Sequence, residues 1–458
     1  MRPLTPIALV ARTLPPVVAV VSALLPATVV AAPPAAPVTA GAAAVLDAGL
    51  GTPVMLGGRR NTAFLRVSVV GAKVPPGMTR SEVNVCLAID RSGSMAGEKM
   101  ASARRGAISA LARLSDRDIV SVVAYDDTIQ IVVPATRASN RRTIESGIER
   151  LQPGGSTALF AGVVKCAQEV RKFATRDRVN RIILLSDGIA NVGPSSPTEL
   201  GILGADLMRE GISVATVGLG TDYNEDLMTE LALRSDGRHT FVERAADLAR
   251  FLDEEMGAAT SVVARDAEVK IRCGEGVRPL RVLGRPADVV GNTVTSAFGK
   301  IYGARQHFFV VELDVDPSRA GETSRQIADV QVAFRDLLRN QTVDQSLVVA
   351  AEFTDRPNEV DARANPRITA ELGLLSADAA TERALQLRDA GDIQGAAQVL
   401  SQSSLDLESI ARKSRDTRLQ KKINVQRTRA REVQEPERWS ISRKFMKKDI
   451  SDNVLDGL

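Results

Sequence analysis

Between residues 83 and 258, continuous apolar runs rich in β-formers alternate with amphipathic stretches of helical period, and this alternation constrains the fold more than any other property of the chain. The runs at 83–89, 119–124, 182–185 and 212–217 lack the polar alternation of a one-sided sheet, so they read as strands buried on both faces. Residues 99–114, 141–151, 159–173, 200–209 and 225–233 carry helical spacing between them. Shorter runs at 129–133 and 240–242 and a last helical stretch at 248–256 complete the series. The pattern predicts a doubly wound α/β fold with a mostly parallel sheet covered by helices on both sides.

The flanks differ. Residues 1–32 carry Arg2 and Arg12, a broken apolar run over 17–25 and small residues at Ala31 and Ala32, as in a secretory signal peptide. Pro15, Pro16 and Pro26 keep that run below the roughly 20 residues a membrane span requires, so cleavage is expected and no later stretch reads as a span. Residues 33–44 read as a linker and 45–82 as N-terminal strands, with clear alternation at 62–70. Short β-runs over 259–355 predict an antiparallel β-sandwich. Pairing of 62–70 with those strands would make the α/β unit at 83–258 an insertion. Residues 360–435 are expected to form a helical hairpin about Ala390, Gly391 and Asp392, with 436–458 a polar tail.

Composition removes several function classes. Two histidines, His239 and His307, are too few for a multi-histidine zinc site and make a histidine-based catalytic triad improbable. Cys86, Cys166 and Cys273 offer neither a disulfide framework nor paired ligand spacing and read as small buried hydrophobes. Residues 409–448 hold fourteen Lys or Arg against four Asp or Glu, which leaves the remainder of the chain net acidic. With only Trp439 and Phe445 nearby, that segment reads as a solvated helix face and loose tail rather than a nucleic-acid surface.

The chemistry concentrates in Ala88-Ile89-Asp90-Arg91-Ser92-Gly93-Ser94-Met95, which places a carboxylate and two hydroxyls on the turn leaving a buried strand. In doubly wound sheets ligands bind beyond the carboxyl ends of the strands, where Asp90 must lie. Gly154-Gly155-Ser156-Thr157 opens a helix, and Leu184-Leu185-Ser186-Asp187-Gly188 ends a strand; each can return an oxygen to the same rim. Asp90, Ser92, Ser94, Thr157 and Asp187 would supply two carboxylates and three hydroxyls, a set suited to Mg²⁺, Mn²⁺ or Ca²⁺. Arg91 and Met95 either flank an incoming ligand or are exposed turn residues. Asp126 and Asp127 read as a solvated hairpin turn or as groups just behind the ligands.

These residues resemble the von Willebrand factor type A family, whose metal-ion-dependent adhesion site reads Asp-x-Ser-x-Ser, then Thr, then Asp. The resemblance spans about 175 residues of the chain, and the flanking strands resemble bacterial members related to the inter-alpha-trypsin inhibitor heavy chains. It implies a divalent cation, Mg²⁺ foremost, with a coordination position open to an Asp or Glu carboxylate of another protein. The expected function is that of an exported, cation-dependent adhesion or assembly module, whether periplasmic, secreted or at the cell surface. The alternative is a structural or regulatory subunit of an envelope or ATPase-associated complex. The chain lacks a phosphate-binding glycine-lysine loop and an evident nucleophile-base pair, so binding is expected rather than turnover.

Overall fold

The computed structural model describes residues 42–74, 80–175, 177–414 and 416–456, all within one compact unit. The signal-peptide reading of 1–32 and most of the 33–44 linker lie outside the described residues. Three strands come first, β1 (Ala44–Leu50), β2 (Val54–Leu56) and β3 (Asn61–Gly71). The α/β unit then runs β4 (Glu82–Asp90), α1 (Glu98–Leu111), β5 (Ile119–Tyr125), β6 (Ile129–Arg137), α2 (Arg141–Glu149), α3 (Leu159–Arg171) and β7 (Arg178–Ser186). It continues through α4 (Pro197–Arg209), β8 (Ile212–Leu219), α5 (Glu225–Arg234), β9 (His239–Val242) and α6 (Leu248–Thr260).

Its sheet has the order β6-β5-β4-β7-β8-β9, parallel throughout except for the β5–β6 hairpin. Strand β4 is buried from Val83 to Asp90 because both faces are covered. Leu87 and Ile89 pack with Ala103, Leu111, Leu252 and Met256 of α1 and α6, while Cys86 and Ala88 pack with Val163 and Val170 of α3. Since β5 lies on one side of β4 and β7 on the other, the winding reverses at β4. That reversal opens a crevice at the strand's carboxyl end.

Seven strands follow: β10 (Val262–Cys273), β11 (Val277–Leu283), β12 (Asp288–Val290), β13 (Thr293–Tyr302), β14 (Gln306–Val315), β15 (Ser324–Asp336) and β16 (Gln341–Thr354). They join the first three strands in two sheets, β1-β3-β14-β11 and β12-β13-β10-β15-β16-β2. Leu65, Val67 and Phe309 of one sheet share a core with Val269, Phe298 and Phe334 of the other. The register of β3 against β14 sets Arg66 opposite Val310, so the α/β unit is inserted between paired strands of the sandwich. One pairing departs from the antiparallel expectation: β2 runs parallel to β16.

The C-terminal part corrects the sequence reading twice. Helices α7 (Pro357–Ala362), α8 (Pro366–Asp389), α9 (Ile393–Ser414) and α10 (Thr417–Glu432) occupy the region expected to be one hairpin. The α8–α9 turn lies at Ala390–Asp392, with Gly391 at φ +89°, but a further helix begins where the Asp416 carboxylate accepts the Arg418 N–H. Residues expected to be a polar tail form α11 (Pro436–Asp456), with Pro436 in its first turn. Met446 and Ile450 are buried against Leu385 and Leu400, and the Phe445 ring meets Phe241 of β9 edge-on at 4.9 Å. The basic stretch is therefore not a loose tail, and it is solvated only in part: Arg412, Lys421, Arg427, Arg431 and Arg438 are exposed, while Lys422, Arg429 and Lys444 are buried. Lys444 is buried and Arg443 bonds to Asp226 and Asp389. Its long aliphatic stems hide an apolar stripe that charge counting misses.

The cysteines supply another correction. Cys86 of β4 and Cys166 of α3 form a buried disulfide with Cα atoms 5.6 Å apart, while Cys273 is free and buried. Eighty residues separate the pair in sequence. Only the packing of α3 across β4 brings the two thiols within bonding geometry.

Candidate metal site

The five residues singled out in the sequence meet at the carboxyl ends of β4 and β7. Asp90 is the last residue of β4, Ser92 and Ser94 lie in the turn that follows, and Asp187 comes directly after β7. Thr157 belongs to the loop leading into α3. Asp90 and Asp187 are wholly buried, Ser92 and Thr157 nearly so, and Ser94 faces the exterior.

Backbone bonds hold the loops in place. Gly93 N–H donates to the Gly155 carbonyl at 3.1 Å and Gly154 N–H to the Arg91 carbonyl at 2.6 Å, tying the serine turn to the loop carrying Thr157. Gly155 has φ +77°, and a Cβ there would sit 2.3 Å from Asp127 Oδ1, so glycine is required. Thr157 is fixed from the other side: its N–H donates to Asn191 Oδ1 at 2.9 Å, and its carbonyl accepts the Asn191 N–H at 3.2 Å.

The side chains form one connected set. Ser94 Oγ donates to Asp187 Oδ1 at 2.7 Å and lies 3.0 Å from Ser92 Oγ. Asp90 Oδ1 accepts the Ser92 N–H at 2.8 Å, and its Oδ2 accepts Ser186 Oγ–H at 2.7 Å. The fit to a small cation is visible at Gly188. A Cβ placed there would lie 3.2 Å from Thr157 Oγ1, 3.4 Å from Ser94 Oγ and 3.9 Å from Ser92 Oγ, so the three hydroxyls converge on one small cradle beside Gly188. Hard oxygen donors about such a cradle suit Mg²⁺, Mn²⁺ or Ca²⁺.

Electrostatics agree with that fit. Burial pushes the Asp90 carboxyl up to about 6, against the lowering pull of the Ser186 and Ser92 hydrogen bonds, and the Asp187 charge adds to the rise. Tyr125, buried beside them with its hydroxyl donating to the Leu185 carbonyl at 2.8 Å, is raised by burial and then by Asp90. A buried carboxylate that is costly to ionise gains from a cation held nearby.

Several neighbours escaped the sequence reading. Lys99 Nζ lies 2.5 Å from Asp187 Oδ2, although Lys99 had only been placed on the following helix. Ser186 and Gly188 flank Asp187 in the Ser-Asp-Gly triplet, which was their one available signal. Asn191 carried none. Met95 is fully buried in the core under α1, so it does not flank a ligand. Arg91 folds back onto Asp126, 3.0 Å away, and Asp126 is buried behind the loop instead of forming a solvated turn; Asp127 is exposed.

Known proteins share this architecture. Residues 84–254 match the family described as von Willebrand factor type A domain. An uncharacterized protein of Synechocystis is 32% identical over 184 residues, covering 40% of this chain and 43% of that protein. Human inter-alpha-trypsin inhibitor heavy chain H4 is 27% identical over 191 residues, covering 39% and 20%. The chain thus spans less than half the length of these relatives. A solved structure described as von Willebrand factor type A from Catenulispora acidiphila superposes with a TM-score of 0.69 at 18% identity, covering 91% of this chain and 97% of that one. A second, the ArnB paralog VWA2 from Sulfolobus acidocaldarius, gives 0.60 at 17% identity and covers 90% and 98%. The fold they share extends over the sandwich and helices as well as the α/β unit.

Proposed function

Because residues 84–254 form a von Willebrand factor type A domain, a kind of domain that mediates protein–protein interaction and commonly holds a divalent cation, we propose that this chain binds a partner protein through such a cation. Asp90, Ser92, Ser94, Thr157 and Asp187 would hold it, Mg²⁺ being favoured by the small oxygen-lined cradle. Convergence of three hydroxyls on the space left by Gly188 is the observation that carries the reading. The cation's role is to offer an open coordination position to a carboxylate. The two carboxylates formally balance a dication, but the other three donors are neutral hydroxyls and weak ligands, so an open coordination position would still favour an anionic oxygen donor, an Asp or Glu side chain from the partner.

What the chain itself contributes is rigidity. The serine turn, the Thr157 loop and the Asn191 loop are bonded to one another before any ligand arrives. A preorganised site loses little entropy on binding, which favours capture of a ligand. Export is part of the proposal. The leader pattern in residues 1–32 and the buried Cys86–Cys166 disulfide both favour an oxidising compartment.

Calorimetric titration of Mg²⁺, Mn²⁺ and Ca²⁺ into the metal-stripped chain tests the reading, run beside Asp90→Ala and Thr157→Ala. Saturable binding lost in both variants, with their folds retained by circular dichroism, is expected. Binding that persists unchanged in both would place the cation elsewhere and overturn the assignment.

A further inference from the structure

Lys99 stands in an unusual place for a cation. It is the second residue of α1, and its Nζ reaches Asp187 Oδ2 at 2.5 Å. Asp187 is fully buried, whereas the Lys99 side chain is 29% exposed. The end of that side chain passes over Gly220, where a Cβ would lie 3.9 Å from both Cε and Nζ. Both Asp187 oxygens are thus engaged, one by Ser94 and one by Lys99. Asp90 is satisfied by the neutral donors Ser92 N–H and Ser186 Oγ–H, and Arg91 is turned away to Asp126. Among these groups Lys99 brings the one positive charge to the pair of buried carboxylates.

A buried carboxylate with no counter-charge is costly, so an ammonium at this position stabilises the ligand set when no metal is present. The same ammonium opposes a dication at the same carboxylates, since like charges a few ångströms apart repel strongly in a partly dry site. The two groups differ in freedom. Asp187 is locked at the end of β7 and cannot leave. Lys99 has a flexible four-carbon stem, already partly in solvent, and can carry its ammonium into water while α1 stays in place.

We propose that Lys99 is a resident counter-cation that competes with the divalent ion for Asp187, so that loading the site releases the lysine ammonium to solvent and this exchange sets the cation affinity. The inference rests on the metal reading above and adds to it a threshold: the site fills only where the free cation concentration suffices to displace an internal ion pair.

Two measurements on the full chain test it. In calorimetry, Lys99→Met should bind Mg²⁺ at least about tenfold tighter than the unsubstituted chain, while Lys99→Arg, which keeps the charge, stays within about threefold. The metal-free Lys99→Met variant should melt lower, and saturating Mg²⁺ should narrow the gap. Equal or weaker binding by Lys99→Met would show that Lys99 orients Asp187 instead of competing for it, and would overturn the proposal. Absence of binding by both the unsubstituted chain and Lys99→Met would sink the metal reading and this inference with it. The second measurement needs no variant: amine acylation followed by mass spectrometry should label Lys99 several times faster with saturating Mg²⁺ than without. An unchanged rate in a chain that calorimetry shows to be loaded would also overturn the proposal.

Discussion

Lys444 of α11 places its Nζ 2.5 Å from Glu225 Oε2 at the start of α5, and both side chains are buried. The ammonium also donates to the Tyr223 carbonyl at 2.9 Å, and Arg443 adds a second cation to Glu225. The basic C-terminal helix is thereby keyed to the acidic first turn of α5, where carboxylates are also favoured by the helix dipole.

The first prediction follows from that burial. Glu225→Ala strands a buried ammonium and should cost about 3–5 kcal/mol in denaturant unfolding. Glu225→Gln combined with Lys444→Met removes both charges and should recover most of the loss. Equal destabilisation by the single and the double change would mean that the loss comes from breaking the pair and not from the stranded charge, and no loss in either would mean that the helix is held by apolar contacts such as those of Met446 and Ile450.

The contact also shows why part of the molecule was legible in sequence and part was not. Asp90, Ser92 and Ser94 were readable because they share one turn at a strand end, and the segments carrying Thr157 and Asp187, each at an element boundary, gave that turn its context. The alternation of 83–258 was readable for a similar reason: two-sided burial leaves a continuous apolar run in each strand. Lys444 was not, because its burial depends on Glu225, more than two hundred positions away, and a row of lysines looks the same whether solvated or docked. Lys99 belongs with Lys444, for only the fold brings it to Asp187.

Cys86 and Cys166 were misread on the same ground, and they carry the second prediction. The bridge closes a loop of 80 residues, for which chain entropy gives about 4 kcal/mol of stabilisation relative to the reduced chain. Replacing both cysteines with Ala should lower unfolding stability by that order, with strand β4 still paired to β5 and β7. Thiol titration of the oxidised, denatured protein should count one free thiol, that of Cys273. Three free thiols would refute the bridge.

His239 gives the third prediction, a dependence on pH. Its ring is fully buried, with Nδ1 2.9 Å from Thr216 Oγ1 and Nε2 3.2 Å from the Tyr223 hydroxyl. Burial, followed by the charges of Lys444, Lys448 and Lys447, lowers its pKa to about 3. The unfolded chain takes up this proton near pH 6.5, whereas the folded chain resists it down to about 3. Stability is therefore present above 6.5 and lost progressively as pH falls through that window. His239→Gln should flatten the curve, with the difference in slope approaching about 1.4 kcal/mol per pH unit between pH 4 and 6. Parallel curves for the two proteins would place the acid sensitivity in other groups.

Gly188 bears on a fourth expected outcome, at the cradle itself. Gly188→Ala adds a single methyl group 3.2 Å from Thr157 Oγ1, closer than carbon normally packs, and 3.4 Å from Ser94 Oγ, an ordinary contact. Relief needs the Thr157 hydroxyl to shift by only a few tenths of an ångström, so the unfolding free energy should fall by no more than about 1 kcal/mol. A cation site has far less tolerance, since Mg²⁺ demands near-ideal geometry at about 2.0–2.1 Å from its oxygens. Mg²⁺ affinity should therefore drop about tenfold or more while Ca²⁺, with longer and more adaptable contacts, suffers less. The pattern separates a cradle shaped for a small ion from a loop that merely packs well. If the alanine variant bound Mg²⁺ as the original chain does, the three hydroxyls would not be its ligands, however close together they lie.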